Sequence, residues 1–234
     1  HIALTSSDIV DTSFALLIQQ SSNQLIYALN NLINNLFLTA KKYKGVVCLG
    51  RTHGQSAEAI TFGIKLLSHI HELNRCLKRL KIAHEDISVG KFSGAVGVYS
   101  LADPQIEEKA LSELGLRAED CATQIVARDR HSFYITNLAI LGSSIEHLAN
   151  ELRLLMHGQV QEAYENFSPG QVGSSAMPHK KNPDVFELLR AKCNVIQALP
   201  NQLTLLTNNL PSGYHRDMQL TKELLFPAME ELKE

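Results

Sequence analysis

Several features are scarce in this sequence, and each scarcity excludes something. Net charge is close to zero: 22 Lys and Arg against 24 Asp and Glu leave −2 at pH 7. That argues against a nucleic-acid partner held by phosphate neutralisation. Long hydrophobic runs are missing, since no stretch approaches the roughly 18 uncharged apolar residues of a membrane helix, so no membrane partner is expected. Cysteine is sparse, and Cys48, Cys76, Cys121 and Cys193 form no C-x-x-C pair. This usage fits reduced, mostly buried thiols of a cytoplasmic protein better than a disulfide framework. No leader pattern opens the chain, and His1 reads as mid-protein sequence. Glycine and proline are absent from residues 1–44, and the first proline is Pro104. What remains is 234 residues at 44% hydrophobic content, enough to bury a substantial core; disorder and a small secreted scaffold are excluded.

The apolar residues recur with helical spacing. Phe14, Leu17, Leu25, Leu29, Leu32 and Leu36, with Ile18, Ile26, Ile33 and Phe37 beside them, make a wide stripe. Thr5-Ser6-Ser7-Asp8 can cap it, and Lys41, Lys42 and Lys44 suit its C-terminal end, so one helix is expected over about 8–44. Further helices are expected over about 57–88, 104–114, 129–165, 184–198 and 200–209, with a last one from about 217. Only 46–49 reads as a possible strand. The expectation is an all-α protein of long antiparallel helices, whose wide stripes favour homo-oligomerisation through helix packing. A monomeric bundle is the alternative.

Polar loops around Thr5–Asp8, Arg51–Gln55 and Gly170–Pro183 interrupt this pattern. The third carries Ser174, Ser175, His179, Lys180, Lys181 and Asn182. It could close over an anionic substrate and supply donors to developing negative charge. A solvated connection between helices explains its composition equally well. His53 could act as a general acid or base, or be one more surface histidine. Glu187 could hold such a histidine, or simply favour a helix N-terminus. His69-x-His71-Glu72 is set aside as a metal site, because residues two apart do not share a helix face. Ser93-Gly94-Ala95-Val96-Gly97 lacks the spacing of a phosphate cradle. Arg128-Asp129-Arg130-His131 reads as a solvated, salt-bridged helix start more readily than as a catalytic cluster.

Gly173-Ser174-Ser175-Ala176-Met177-Pro178-His179-Lys180-Lys181-Asn182-Pro183 resembles the G-S-S-x-M-P-x-K-x-N-P signature of the fumarase/aspartase superfamily. The segment from His1 to Thr12 and Arg51-Thr52-His53-Gly54 resemble its other two shared regions. The resemblance implies that residues 1–234 are a central helical domain, with smaller N- and C-terminal domains absent from this chain. It implies a homotetramer whose active sites are shared between subunits, and it calls for neither cofactor nor metal. Ser174 would then be the general base, and His53 the acid that protonates the leaving nitrogen, oriented by Glu187 of another subunit. Lys180 and Asn182 would stabilise the aci-carboxylate. Thr5, Ser6 and Thr52 would hold fumaryl carboxylates, with His1 and Gln124 as further substrate contacts.

The two parts of the chain resemble different branches. Thr5 to Thr12, Arg51 to Gln55, Lys91 to Gly97, Thr123-Gln124 and Arg128 to His131 resemble the adenylosuccinate lyase family. From Lys181 onward the chain is closer to the argininosuccinate lyase family: Tyr214-His215-Arg216-Asp217-Met218-Gln219 and Lys222-Glu223 match its Y-N-[RK]-D-L-Q-x-x-K-E segment. By that match Tyr214, Arg216, Gln219 and Lys222 would bind substrate. Both branches release fumarate from a succinyl adduct by anti elimination. The first is preferred, the second is the alternative. A cycloisomerase of the same superfamily and a catalytically idle structural relative are more distant ones.

Overall fold

The structure, a computed structural model, describes residues 3–171, 173–177, 179–207 and 210–233. Its backbone of long helices follows from the apolar stripes. Helix α1 (Ser6–Lys42) is capped by Thr5, whose amide donates to the Asp8 carboxylate at 2.7 Å. Helix α2 (Phe62–Ile87) runs antiparallel beside it, α4 (Asp129–Leu155) antiparallel on α2, and α5 (Asp184–Thr207) antiparallel on α4. Cross-links mark that direction. Lys65 pairs with Glu151 while Arg130 pairs with Asp86. Likewise Glu187 lies by Arg153 while Gln197 donates to Glu146. The short helix α6 (Thr221–Lys233) lies along α1 in the same direction, with Lys222 over Phe14 and Lys233 on Gln24.

Phe14, Ile18, Leu25, Leu29 and Ile33 of α1 enter one core with Leu73 and Leu80 of α2, Tyr134, Ile135 and Leu138 of α4, Ile196 and Leu203 of α5, and Leu225 of α6. Truncating such a side chain to alanine costs about 2–5 kcal/mol. The Tyr134 hydroxyl bonds to that of Ser22, also fully buried, at 2.5 Å. Burial raises the tyrosine pKa. A two-strand parallel pair, β3 (Val89–Gly90) with β4 (Arg117–Ala118), and helix α3 (Pro104–Glu113) close one end of the bundle. Among the described residues no helix is long and apolar enough to cross a membrane.

The all-α expectation holds, with local corrections. Residues 47–61 form an antiparallel hairpin, β1 (Val47–Thr52) and β2 (Gln55–Thr61), where a helix was expected from 57. Ala57, Glu58 and Ala59 favour helix intrinsically, but the turn chemistry overrides them. His53 and Gly54 both have positive φ, 54° and 75°. That is the two-residue turn whose twist matches paired strands. Helix α4 stops at Leu155, ten residues short of the expectation, where Gly158 and a left-handed Gln161 follow. Helices expected over 184–198 and 200–209 are one: Ile196 and Leu203, both buried, hold α5 continuous through Pro200. Of the cysteines, Cys76 and Cys193 are buried and Cys121 is exposed; all four are free.

Candidate active site

The expected site residues divide into two groups at opposite ends of the bundle. The 27-residue α4 spans from one to the other, about 40 Å at 1.5 Å per residue.

At the first end, Thr5 is half-buried and Ser6 exposed. Their position depends on Asp8, which is fully buried with Lys91 in an ion pair. Asp8 also accepts the Gly94 amide at 3.3 Å, and Lys91 donates to the Gly94 carbonyl at 3.1 Å. One turn on, Asp11 takes both guanidinium nitrogens of Arg128, at 2.9 and 3.0 Å, and the Val126 amide at 2.9 Å. This fixes the stretch that carries Gln124, which is half-buried. Arg130 is no solvated helix start: it bridges Asp86 at 2.7 Å and Glu119 at 2.8 Å with its side chain mostly covered. His131 is fully buried, stacked on Phe14 at 5.3 Å between centroids. Burial, reinforced by the Arg128 charge, lowers its pKa well below the usual value. The Lys222 ammonium sits 5.5 Å over the other aromatic partner of that stack, Phe14. A cavity of about 320 Å³ opens beside Thr123, Arg128 and Ser132, closed by Pro211, Gly213 and Met218. Tyr214 is half-buried, whereas Arg216 and Gln219 are exposed. His1 lies outside the described residues.

At the second end, the hairpin presents Thr52 and His53 at its tip, both exposed. Arg51 anchors it through a two-pronged pair with Glu162, at 2.5 and 3.0 Å. Nothing in the sequence pointed to Glu162, which is 111 residues away. The long loop folds back on itself: Asn182 donates its amide to the Gly173 carbonyl at 3.1 Å, and a Cβ on Gly173 would lie 1.9 Å from the Lys180 carbonyl oxygen. Glycine is therefore required there. Ser174 Oγ accepts one long bond, from the Met177 amide at 3.4 Å. A cavity of about 500 Å³ gathers Lys180, Asn182 and Glu187 with Arg153, His157 and Gln161. Its cations outnumber its single carboxylate, so it suits an anion. Glu187 faces Arg153 at 3.7 Å and not His53. Ser174 and His53 are not among the residues lining that cavity.

One chain thus brings Lys180, Asn182 and Glu187 together, and holds Thr5, Ser6, Gln124 and Lys222 at the far end. Separately, at mid-length, α2 and α4 place His69, Glu72 and His147 with ligand atoms within 4.8 Å of one another. His71 faces away, as the spacing argument required, but His147 was not visible from local sequence.

A long-helix bundle whose signature loop and paired polar ends carry these groups defines a class. A family model described as "Lyase" matches residues 1–198, and the chain belongs to that family, the fumarase/aspartase-type lyases. More particularly, it is 46% identical over 198 residues to an adenylosuccinate lyase of Thermotoga maritima, covering 85% of this chain and 46% of that protein. The adenylosuccinate lyase of Aquifex aeolicus is 44% identical over 198 residues, 85% of this chain and 45% of that protein. That of Bacillus subtilis is 41% identical over 218 residues, 93% of this chain and 50% of that protein. A solved structure of 3-carboxy-cis,cis-muconate lactonizing enzyme from Pseudomonas putida superposes with a TM-score of 0.86 at 26% identity, over all of this chain and 54% of that one. The chain therefore spans about half the length of the relatives it matches.

Proposed function

We infer that the whole protein is a carbon–nitrogen lyase that splits adenylosuccinate, or a close succinyl adduct of a purine nucleotide, into fumarate and the free amine. The observation that carries this reading is the cavity holding Lys180, Asn182 and Glu187 at the foot of the Ser174 loop, together with relatives named adenylosuccinate lyase.

The chemistry follows from charge. Ser174, as an alkoxide, removes a proton from Cβ of the succinyl group. The electron pair left behind spreads into the adjacent carboxylate, giving a dianionic aci-carboxylate. Lys180 and Asn182 bind that species more tightly than the ground state, which is what lowers the barrier. The pair then forms the fumarate double bond as the C–N bond breaks, and His53 gives a proton to the departing nitrogen. Thr5, Ser6 and Thr52 hold the carboxylates. Among the described residues Ser174 accepts a single long bond, from its own loop, and the base becomes active when the loop closes on substrate.

The two groups of residues lie about 40 Å apart along α4, so a full site needs more than one copy. A homotetramer, with the first end of one subunit meeting the second end of others, completes it. Exposed Leu17, Phe37, Leu38 and Ile64 on α1 and α2 offer the apolar surface for that packing.

The alternative substrate is argininosuccinate, from the likeness of Tyr214, Arg216, Gln219 and Lys222 to the argininosuccinate lyase segment; the family model ends before them, at residue 198, while the Bacillus subtilis adenylosuccinate lyase aligns over 218 residues of this chain. Fumarate release by the full-length protein, assayed on adenylosuccinate and argininosuccinate in parallel, decides. Turnover of the first supports the reading, turnover of the second alone moves specificity to the Tyr214 segment, and turnover of neither rejects both.

A further inference from the structure

We propose that His69, Glu72 and His147 form a binding site for a borderline divalent cation such as Zn²⁺, clamping α2 to α4 at mid-length. The proposal does not rest on the lyase reading. His69 and Glu72 are three apart on α2 and so share a face; His147 comes from the adjoining turn of α4. The ligand atoms of all three lie within 4.8 Å of one another. Glu72 Oε2 and His147 Nδ1 are 2.9 Å apart, and the two imidazoles meet edge to face with centroids 4.6 Å apart. Ligands about 2.0–2.1 Å from a tetrahedral zinc stand about 3.3 Å from one another. The closest pair already meets that spacing to within a few tenths of an ångström. The widest needs about 1.5 Å of closure, and the His147 side chain, 62% exposed, is free to rotate.

A second observation points the same way. His69 is only 4% exposed, yet its Nδ1 has no hydrogen-bond partner among the described residues. A buried ring nitrogen without a partner carries a cost that a metal bond removes. Ser144 donates to the Glu72 carboxylate and lies 3.3 Å from Cys76 Sγ, giving the carboxylate the outer support that metal ligands usually have. Two imidazoles and one carboxylate select Zn²⁺, Co²⁺ or Ni²⁺ over Mg²⁺ and Ca²⁺, which take all-oxygen shells. The exposed side of His147 leaves a fourth position to water.

The test is Co²⁺ titration of the chelator-treated full chain, read by the visible absorption of tetrahedral cobalt, with Zn²⁺ competition. The expected result is one Co²⁺ per chain, displaced by Zn²⁺ and not by Mg²⁺. Since His147 is exposed, His147→Ala folds, and it should weaken binding at least tenfold. His71→Ala, on the other face, should leave binding unchanged. Absence of the tetrahedral bands, or equal affinity in His147→Ala and the unaltered chain, overturns the proposal.

Discussion

Replacing Lys91 with methionine should be among the most destabilising single changes in this protein. Lys91 and Asp8 are both fully buried, and no water reaches either charge. The substitution keeps the length of the side chain but leaves the Asp8 carboxylate with only the Thr5 and Gly94 amides as donors. Breaking a buried pair in this way costs about 3–5 kcal/mol, because the remaining charge stays desolvated. For a chain of this size each kcal/mol moves the melting temperature by about 2–4 °C, so a fall of about 6–20 °C is expected. Thermal unfolding and urea titration of the unaltered and substituted protein measure it. The double variant Asp8→Leu, Lys91→Met removes both charges and should regain most of the loss. A single-variant loss below about 1 kcal/mol would mean that the pair behaves like a solvated surface bridge. A double variant as unstable as Lys91→Met alone would mean that packing, not charge, is what the substitution damages.

Other outcomes follow from the same structure. Ser174→Ala should abolish fumarate release while leaving folding intact, since among the described residues Ser174 makes a single long bond; turnover like that of the unaltered protein would remove it as the base. His53→Gln should slow release by roughly 10²–10⁴-fold, the usual contribution of a general acid, and a loss below tenfold would point to another proton donor. Stability should fall on acidification. The folded pKa of His131 is depressed by burial, so below about pH 6.5 the unfolded state binds the extra proton, and one histidine contributes a slope of up to about 1.4 kcal/mol per pH unit. His69 and His84 are depressed by burial in the same sense. Urea midpoints of His131→Phe measured between pH 5 and 7 should show a shallower slope; an unchanged slope would exclude His131 as a source.

The helices were legible because their signal is local: Phe14, Ile18, Leu25, Leu29 and Ile33 repeat along one face whatever lies opposite. The hairpin was not. Ala57, Glu58 and Ala59 favour helix one by one, and the left-handed pair His53-Gly54 and the cross-strand partners Val47 and Thr61 turn the segment into a strand. The end of α4 was misjudged because Gly158 was outweighed by the apolar period before it. In the site, the signature loop was readable as a contiguous motif. Its supports were not, since Arg51–Glu162, Asp8–Lys91 and Asp11–Arg128 join residues 83 to 117 positions apart. His147 escaped for the same reason: the spacing rule applied to α2 alone cannot see a ligand on α4.

The division of the site between opposite ends of the bundle makes a demand that mixing can test. Ser174→Ala damages the second end, and Gln124→Ala the first. Each full-length variant should release little or no fumarate from adenylosuccinate by itself. Co-assembled from a mixture, the two should regain activity, because some sites then draw an intact first end from one subunit and an intact second end from another. A mixture no more active than its parents, at equal protein and with mixed oligomers verified by mass, would contradict a site built from more than one copy.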